Sequence, residues 1–89
     1  MQEKKITIKN KLGLHARAAV KFVNLANRFA SSVHLVKDNS EVDGKSILGI
    51  LTLAAGQGTQ LELLVSGRDE EQALKALTDL INNRFGEEE

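Results

Sequence analysis

Apolar and polar residues follow two different periods along this chain of 89 residues, and they predict short strands and amphipathic helices. Alternation with a period of two is typical of strands that bury one face, whereas apolar residues spaced three and four apart mark one buried helix face. The predicted strands cover residues 4–9, 33–37, 40–43 and 61–66. The predicted helices cover residues 16–29, residues 47–53 and a segment that starts at residue 70 and fades near residue 86.

The order of these elements, β-α-β-β-α-β-α, predicts an α+β domain. Three amphipathic helices need one apolar surface to cover, so we expect them on one face of a four-stranded, mainly antiparallel sheet. The length is that of one domain, residues 1–89. Asp69 is expected to cap the last helix in a capping box with Gln72. Residues 86–89 are expected to be a frayed acidic tail.

Charge is distributed unevenly, although the formal net charge is zero. Residues 1–50 hold nine Lys or Arg against four Asp or Glu, and residues 51–89 hold three against eight. The first half would therefore attract a phosphate or an acidic protein. The chain has no Tyr or Trp for base stacking and no dense basic stripe, which argues against nucleic acid. No secretion signal or apolar run of membrane length is visible, so we expect a cytoplasmic protein without membrane insertion.

Cysteine is absent, which excludes disulfides, thiolate metal sites and thiol chemistry. The two histidines, His15 and His34, have no nearby cluster of further ligands, so we expect no metal and no cofactor. His34 lies in the middle of a predicted strand between apolar residues and is most simply a side chain on the sheet face.

His15 is the strongest candidate for chemistry. It stands within Gly13-Leu14-His15-Ala16-Arg17, immediately before the first predicted helix. At the N-cap, its imidazole would lie beside unpaired N–H groups and the positive end of the helix dipole, which together favour an anion. Arg17 adds a planar cation that suits phosphate oxygens. This combination suggests a histidine that carries a phosphoryl group; the alternative is an ordinary surface histidine at a helix start.

The second informative segment is Gly44-Lys45-Ser46-Ile47-Leu48-Gly49 and the apolar residues that follow it. Ser46 is a favourable N-cap for a short helix whose apolar residues point all the way round. A short helix on a sheet buries only one side, so an apolar patch of Ile47, Leu48 and Leu51 is expected to be exposed and to contact a partner. The alternative is a more deeply buried helix.

These two motifs, their separation and the order of elements resemble the HPr family, the histidine-containing phosphocarriers of the bacterial phosphotransferase system. The resemblance extends over residues 4–85. It implies an open-faced β-sandwich of three helices on a four-stranded antiparallel sheet. It also implies a phosphoryl carrier, not a stand-alone enzyme, that accepts phosphate from Enzyme I and passes it to Enzyme IIA domains in sugar uptake.

The resemblance also assigns site residues. His15 would be phosphorylated on Nδ1 beside Arg17, with backbone N–H groups of residues 16–18 near the phosphoryl group. Ala18 departs from the family, whose members usually have proline there, and it restores an N–H group. Ser46 matches the serine that an HPr kinase/phosphorylase modifies in many relatives.

Partner docking is expected on an apolar surface with basic residues nearby, and we expect the chain to act as a monomer. The residues expected in this docking surface are Val20, Lys21, Lys45, Ile47, Leu48 and Leu51. Two alternatives stay open. One is a carrier in a regulatory, nitrogen-type phosphorelay that is not coupled to transport. The other is a binding regulator that takes no phosphate, which would have no need of His15 and Arg17.

Overall fold

Four antiparallel strands form one sheet in the computed structural model, which describes residues 1–88. The strands are β1 (Gln2–Thr7), β2 (Ser32–Lys37), β3 (Ser40–Asp43) and β4 (Gln60–Ser66). Their order across the sheet is β1-β4-β2-β3, so the first and last strands of the chain are neighbours. The apolar residues that alternate in the sequence point to one side of this sheet, where Ile6 pairs with Leu61 and Leu35 with Leu63.

Three helices cover this apolar side, as predicted. They are α1 (Ala16–Ala26), α2 (Ile47–Thr52) and α3 (Glu70–Asn82), and a left-handed turn at Arg84–Gly86 follows α3. Phe22 on α1 and Leu77 on α3 are fully buried against the sheet, together with Val65. The α+β architecture with three helices on a four-stranded antiparallel sheet is therefore confirmed. No helix in the described part of the chain is long and apolar enough to cross a bilayer.

The first helix is shorter than its sequence pattern predicts. It ends at Ala26 and not at residue 29, because Arg28 and Phe29 donate backbone hydrogen bonds to carbonyls three residues earlier. Such bonds tighten the chain into 3₁₀ geometry at a helix end. Phe29 keeps the apolar spacing of the helix and packs against the core from this turn, which explains why periodicity alone extends the helix too far.

The predicted capping box at the start of α3 does not form. Asp69 occupies the N-cap position but makes no capping hydrogen bond. Its carboxylate instead accepts hydrogen bonds from the backbone N–H of Ala30 at 2.8 Å, from that of Ser31 at 2.9 Å and from the Ser31 hydroxyl. Ser31 is fully buried, so its polar groups need a partner more than the exposed end of α3 does.

Replacing Asp69 with asparagine is expected to reduce acid sensitivity as well as stability at neutral pH. The hydrogen bonds from the Ser31 hydroxyl and then the Ala30 N–H lower the pKa of Asp69 below its ordinary value of 3.8. A carboxylate with a lowered pKa stabilises the fold above its unfolded value, and this contribution is lost as pH falls through the folded pKa. Thermal unfolding from pH 7 to pH 2 should show a shallower acid decline for Asp69→Asn than for wild type. Asp79→Asn, an exposed position on α3, is the control, and equal acid declines for the two variants would contradict the prediction.

Candidate functional site

His15 begins α1 as its N-cap, as the sequence predicts. Its backbone is extended, with φ −77° and ψ 176°, and its carbonyl oxygen accepts the first helical hydrogen bond from the Ala19 N–H at 2.9 Å. The imidazole turns back over the first turn, so that Nδ1 accepts a hydrogen bond from the Arg17 backbone N–H at 3.2 Å. Because Nδ1 accepts, it carries a lone pair and no proton, which is the form of imidazole nitrogen that can act as a nucleophile.

The approach to this helix start is fixed by close backbone packing at Gly13. This residue has φ +69°, a left-handed conformation that glycine adopts without strain. A Cβ atom here would lie 2.4 Å from the Ala55 carbonyl oxygen, so no larger residue fits without movement of the loop. The next residue, Leu14, donates its N–H to the same carbonyl at 2.8 Å and buries its side chain. The loop therefore holds His15 at a defined place and leaves its ring partly accessible.

The second ring nitrogen of His15 has a partner that the sequence did not reveal. Nε2 contacts the Oε2 atom of Glu87, close to the end of the chain. A carboxylate accepts hydrogen bonds, so this contact requires a proton on Nε2, while the Arg17 N–H on the other side of the ring requires a lone pair on Nδ1. The interpretation of residues 86–89 as a frayed tail is therefore wrong at Glu87, whose side chain is only 11% exposed. Glu89, at the end of the same predicted tail, lies outside the described residues.

The Glu87 carboxylate is held by three side chains. Its Oε1 accepts a hydrogen bond from Asn10 Nδ2 at 2.9 Å, and its Oε2 lies 3.5 Å from the Arg17 guanidinium. Asn10 is fully buried and also donates to the Gly13 carbonyl oxygen at 2.8 Å, so it is itself well positioned. The hydrogen bond from Asn10, together with His15 and Arg17 and against partial desolvation, lowers the pKa of Glu87 below its ordinary value of 4.5. The carboxylate is thus ionised at neutral pH.

The predicted anion-binding residues surround Nδ1 in different ways. The N–H of Arg17 already points at Nδ1, while its side chain is 65% exposed and its guanidinium, 3.5 Å from the Glu87 carboxylate, is accessible to a bound anion. Ala16 is exposed on the first turn, whereas Ala18 is completely buried. The side chain of Ala18 thus belongs to the core, and only its backbone N–H lies in the first turn that faces the imidazole.

Ser46 is the N-cap of α2, as predicted. Its hydroxyl oxygen accepts a hydrogen bond from the Gly49 N–H at 3.0 Å, and its side chain remains partly accessible. On the same helix, Ile47 and Leu48 are exposed by 38% and 77%, and Val20 on the adjoining helix α1 is exposed by 40%. The expectation for Leu51 needs correction, because it is half-buried and packs against the core. The exposed apolar patch therefore consists of Val20, Ile47 and Leu48.

Two of the predicted basic residues donate hydrogen bonds from their side-chain ammonium groups to backbone carbonyl oxygens. Lys21 Nζ donates to the Phe85 carbonyl oxygen at 2.7 Å, and Lys45 Nζ donates to that of Phe29 at 3.0 Å. A surface groove of about 600 Å³ is lined in part by Lys11, Arg17 and Lys21. Glu87 and Glu88 line the same groove, so three cationic side chains outnumber two carboxylates, and the small excess of positive charge suits an acidic group on a partner.

The other histidine lies in the sheet. His34 is in the middle of β2, directly across from Asp43 on β3 and Leu64 on β4, and its side chain is half-buried. This is the sheet-face position that the sequence analysis assigned to it. Within residues 1–88, no three His, Cys, Asp or Glu side chains are grouped so that they could hold a metal ion.

The fold and the site together define a class of protein: a small α+β domain with a partly accessible histidine at a helix N-terminus. A family model described as "PTS HPr component phosphorylation site" matches residues 2–83. The chain is therefore a member of the HPr family of phosphocarriers, which serve the phosphotransferase system.

Curated relatives and solved structures agree with this assignment. The chain is 54% identical to phosphocarrier protein HPr of Neisseria meningitidis over 89 residues, which cover 100% of both chains. It is 56% identical over 85 residues to the HPr of Pseudomonas aeruginosa, with 94% of each chain covered. Among solved structures, HPr-C-His from Thermoanaerobacter tengcongensis matches with a TM-score of 0.96 and 52% identity, covering 100% of both chains.

Proposed function

We propose that this chain accepts a phosphoryl group on Nδ1 of His15 from Enzyme I and transfers it to Enzyme IIA domains in sugar uptake. The observation that carries the proposal is the state of the ring: at the start of α1, Nδ1 has an unprotonated lone pair that accepts from the Arg17 N–H, and Nε2 holds the proton against Glu87. Membership of the HPr family supports the same assignment.

The chemistry needs little machinery within the chain. Phosphoryl transfer depends mainly on in-line placement and on stabilisation of charge on the transferred group. The lone pair of Nδ1 attacks phosphorus, the bond from phosphorus to the donor breaks, and its electron pair leaves with the donor. The N–H groups of the first turn and the positive end of the helix dipole then face the new phosphoryl oxygens. The exposed guanidinium of Arg17 can turn to them as a further donor.

The site is partly accessible, which suits a carrier that must meet both a donor and an acceptor. His15 is 24% exposed and lies at the surface, so a partner protein can bring its own phosphorylated or accepting group to it. The apolar patch of Val20, Ile47 and Leu48 supplies a contact surface on the adjoining helices, and Lys21 and Lys45 add positive charge for acidic partners. We place this exchange in the cytoplasm and expect the chain to act as a monomer.

The proposal is tested by incubating the purified chain with Enzyme I and labelled phosphoenolpyruvate. One acid-labile phosphoryl group per chain is expected, followed by its loss when an Enzyme IIA domain is added. A chain that gains no label from a donor that labels a known HPr in parallel would overturn the proposal.

Phosphorylation of Ser46 would regulate docking by charge. A phosphoryl group adds about −1.5 to −2 charges beside the apolar patch. The N-terminus of α2 tolerates an anion, so the fold should remain, while an acidic partner would be repelled. Ser46→Asp is expected to slow His15 labelling by Enzyme I several-fold relative to wild type.

Ser46→Ala is the matched control for this effect. It removes the hydroxyl that accepts from Gly49, which costs about 1 kcal/mol of stability, but adds no charge. Its labelling rate should stay close to that of wild type. Equal labelling rates for Ser46→Asp and Ser46→Ala would contradict control by charge.

A further inference from the structure

The chain ends in a segment that packs back across the start of α1. We refer to residues 83–88 as the C-terminal strap. Arg84 and Phe85 have φ values of 56° and 55°, and Gly86 continues the left-handed turn with φ 78°. Side chains other than glycine adopt this conformation at a cost, so surrounding contacts must hold it. The fully buried Phe85 ring and the hydrogen bond from Lys21 Nζ to its carbonyl oxygen provide those contacts.

This turn places the Glu87 carboxylate beside His15. Glu87 is 11% exposed and has both oxygens engaged, one by Asn10 and the other by His15 and Arg17. The next residue, Glu88, is exposed, and its backbone carbonyl oxygen accepts from the Arg84 guanidinium at 3.2 Å. The two adjacent glutamates of the strap therefore differ in burial and in contacts, because Glu87 meets the imidazole, Asn10 and Arg17, whereas Glu88 is exposed.

We propose that Glu87 is a positioning residue for phosphoryl transfer at His15, an inference that rests on the proposed function. The carboxylate and the Arg17 N–H select the same tautomer from opposite sides of the ring: one requires a proton on Nε2 and the other requires a lone pair on Nδ1. The nucleophilic nitrogen is thus prepared before the donor arrives. The same carboxylate keeps the Arg17 guanidinium beside the ring.

Glu87 also interacts with the charge that forms during transfer. When the neutral ring attacks through Nδ1, the N–P bond forms while the proton stays on Nε2, so the ring becomes positively charged. An ionised carboxylate against Nε2 stabilises this charge, as an aspartate does behind the histidine of a serine protease. In onward transfer the N–P bond breaks, its electron pair returns to Nδ1, and the ring leaves as the neutral Nε2–H tautomer. Glu87 holds that proton throughout.

Two measurements on Glu87→Gln test this role. Glutamine keeps the size of the side chain, but its amide can either accept from Nε2–H or donate to an unprotonated Nε2, so it no longer requires one tautomer. Nitrogen-15 chemical shifts of the His15 ring should show mainly the Nε2–H tautomer in wild type and a mixture in the variant. The rate of His15 labelling by phosphorylated Enzyme I should fall about tenfold, the lower end of the range known for carboxylates that orient metal-bound histidines.

Glu88→Gln is the matched control, because it removes the same charge from the same strap without touching the ring. Its tautomer and its labelling rate should equal those of wild type, and Glu87→Asp should restore part of the rate. A Glu87→Gln variant that matches Glu88→Gln in either readout overturns the inference. Failure of the proposed function is distinguishable, because wild type would then acquire no label in the same assay.

Discussion

His15→Ala is expected to reduce phosphoryl acceptance from Enzyme I below detection. Alanine has no ring nitrogen, and the other histidine, His34, lies in the middle of β2, paired across to Asp43 and Leu64. The loss therefore follows from removal of the only nucleophile at the start of α1 that the structure identifies within residues 1–88. The measurement is incorporation of labelled phosphate from phosphoenolpyruvate, read after a fixed time and under conditions that preserve acid-labile phosphohistidine.

Two further variants separate chemistry from structure. His15→Asn keeps a favourable N-cap residue while it removes the imidazole, so the helix start should be preserved and labelling should still be lost. His34→Ala removes the other histidine and should label at the wild-type rate. Label on His15→Asn, or loss of label on His34→Ala, would contradict the assignment of the phosphoryl group to His15.

Phe85→Ala is expected to lower the free energy of unfolding by about 3–5 kcal/mol, the usual cost of deleting a buried phenylalanine ring. Phe85 is fully buried, and its ring anchors the C-terminal strap against the core. The free energy of unfolding of native domains is only about 5–15 kcal/mol, so this substitution should remove a large part of it. The quantity to measure is the urea midpoint, together with the slope of the transition.

Phe29→Ala provides the comparison for this substitution. Phe29 is half-buried in the turn after α1, so the same deletion leaves a smaller cavity and should cost less. Phe85→Ala should also free the strap and thereby weaken the contact between Glu87 and His15, which the ring nitrogen-15 shifts of His15 would report. If Phe85→Ala lowers the free energy of unfolding no more than Phe29→Ala does, the Phe85 ring does not anchor the strap.

The start of the first helix shows what a sequence pattern can predict well. The apolar spacing that begins at Ala19 placed α1, and the position of His15 before it predicted the N-cap that the structure has. Both signals are local, because an N-cap and a helix face depend on residues within a few positions of one another. The exposed apolar residues Ile47 and Leu48 followed from the same kind of reasoning, since a short helix on a sheet cannot bury all its sides.

The errors occur where a distant part of the chain competes with a local partner. Asp69 has the sequence of a capping residue, yet it binds Ala30 and Ser31, which lie 39 and 38 positions away. Leu51 is expected to be exposed but is half-buried and packs against the core. For Asp69 the local pattern allows two outcomes, and burial of the distant Ser31 decides between them.

The sequence by itself determined the elements, their order and the histidine that begins α1, because periodicity and capping act over a few residues. Only the tertiary structure decided that β1 pairs with β4 and that Glu87 meets His15 across 72 positions of the chain. That contact requires the left-handed turn at Phe85 and the buried amide of Asn10, neither of which has a local signature. The contact between Glu87 and His15 depends on packing that exists only after the core has formed. The residues around His15 in the sequence therefore could not predict it.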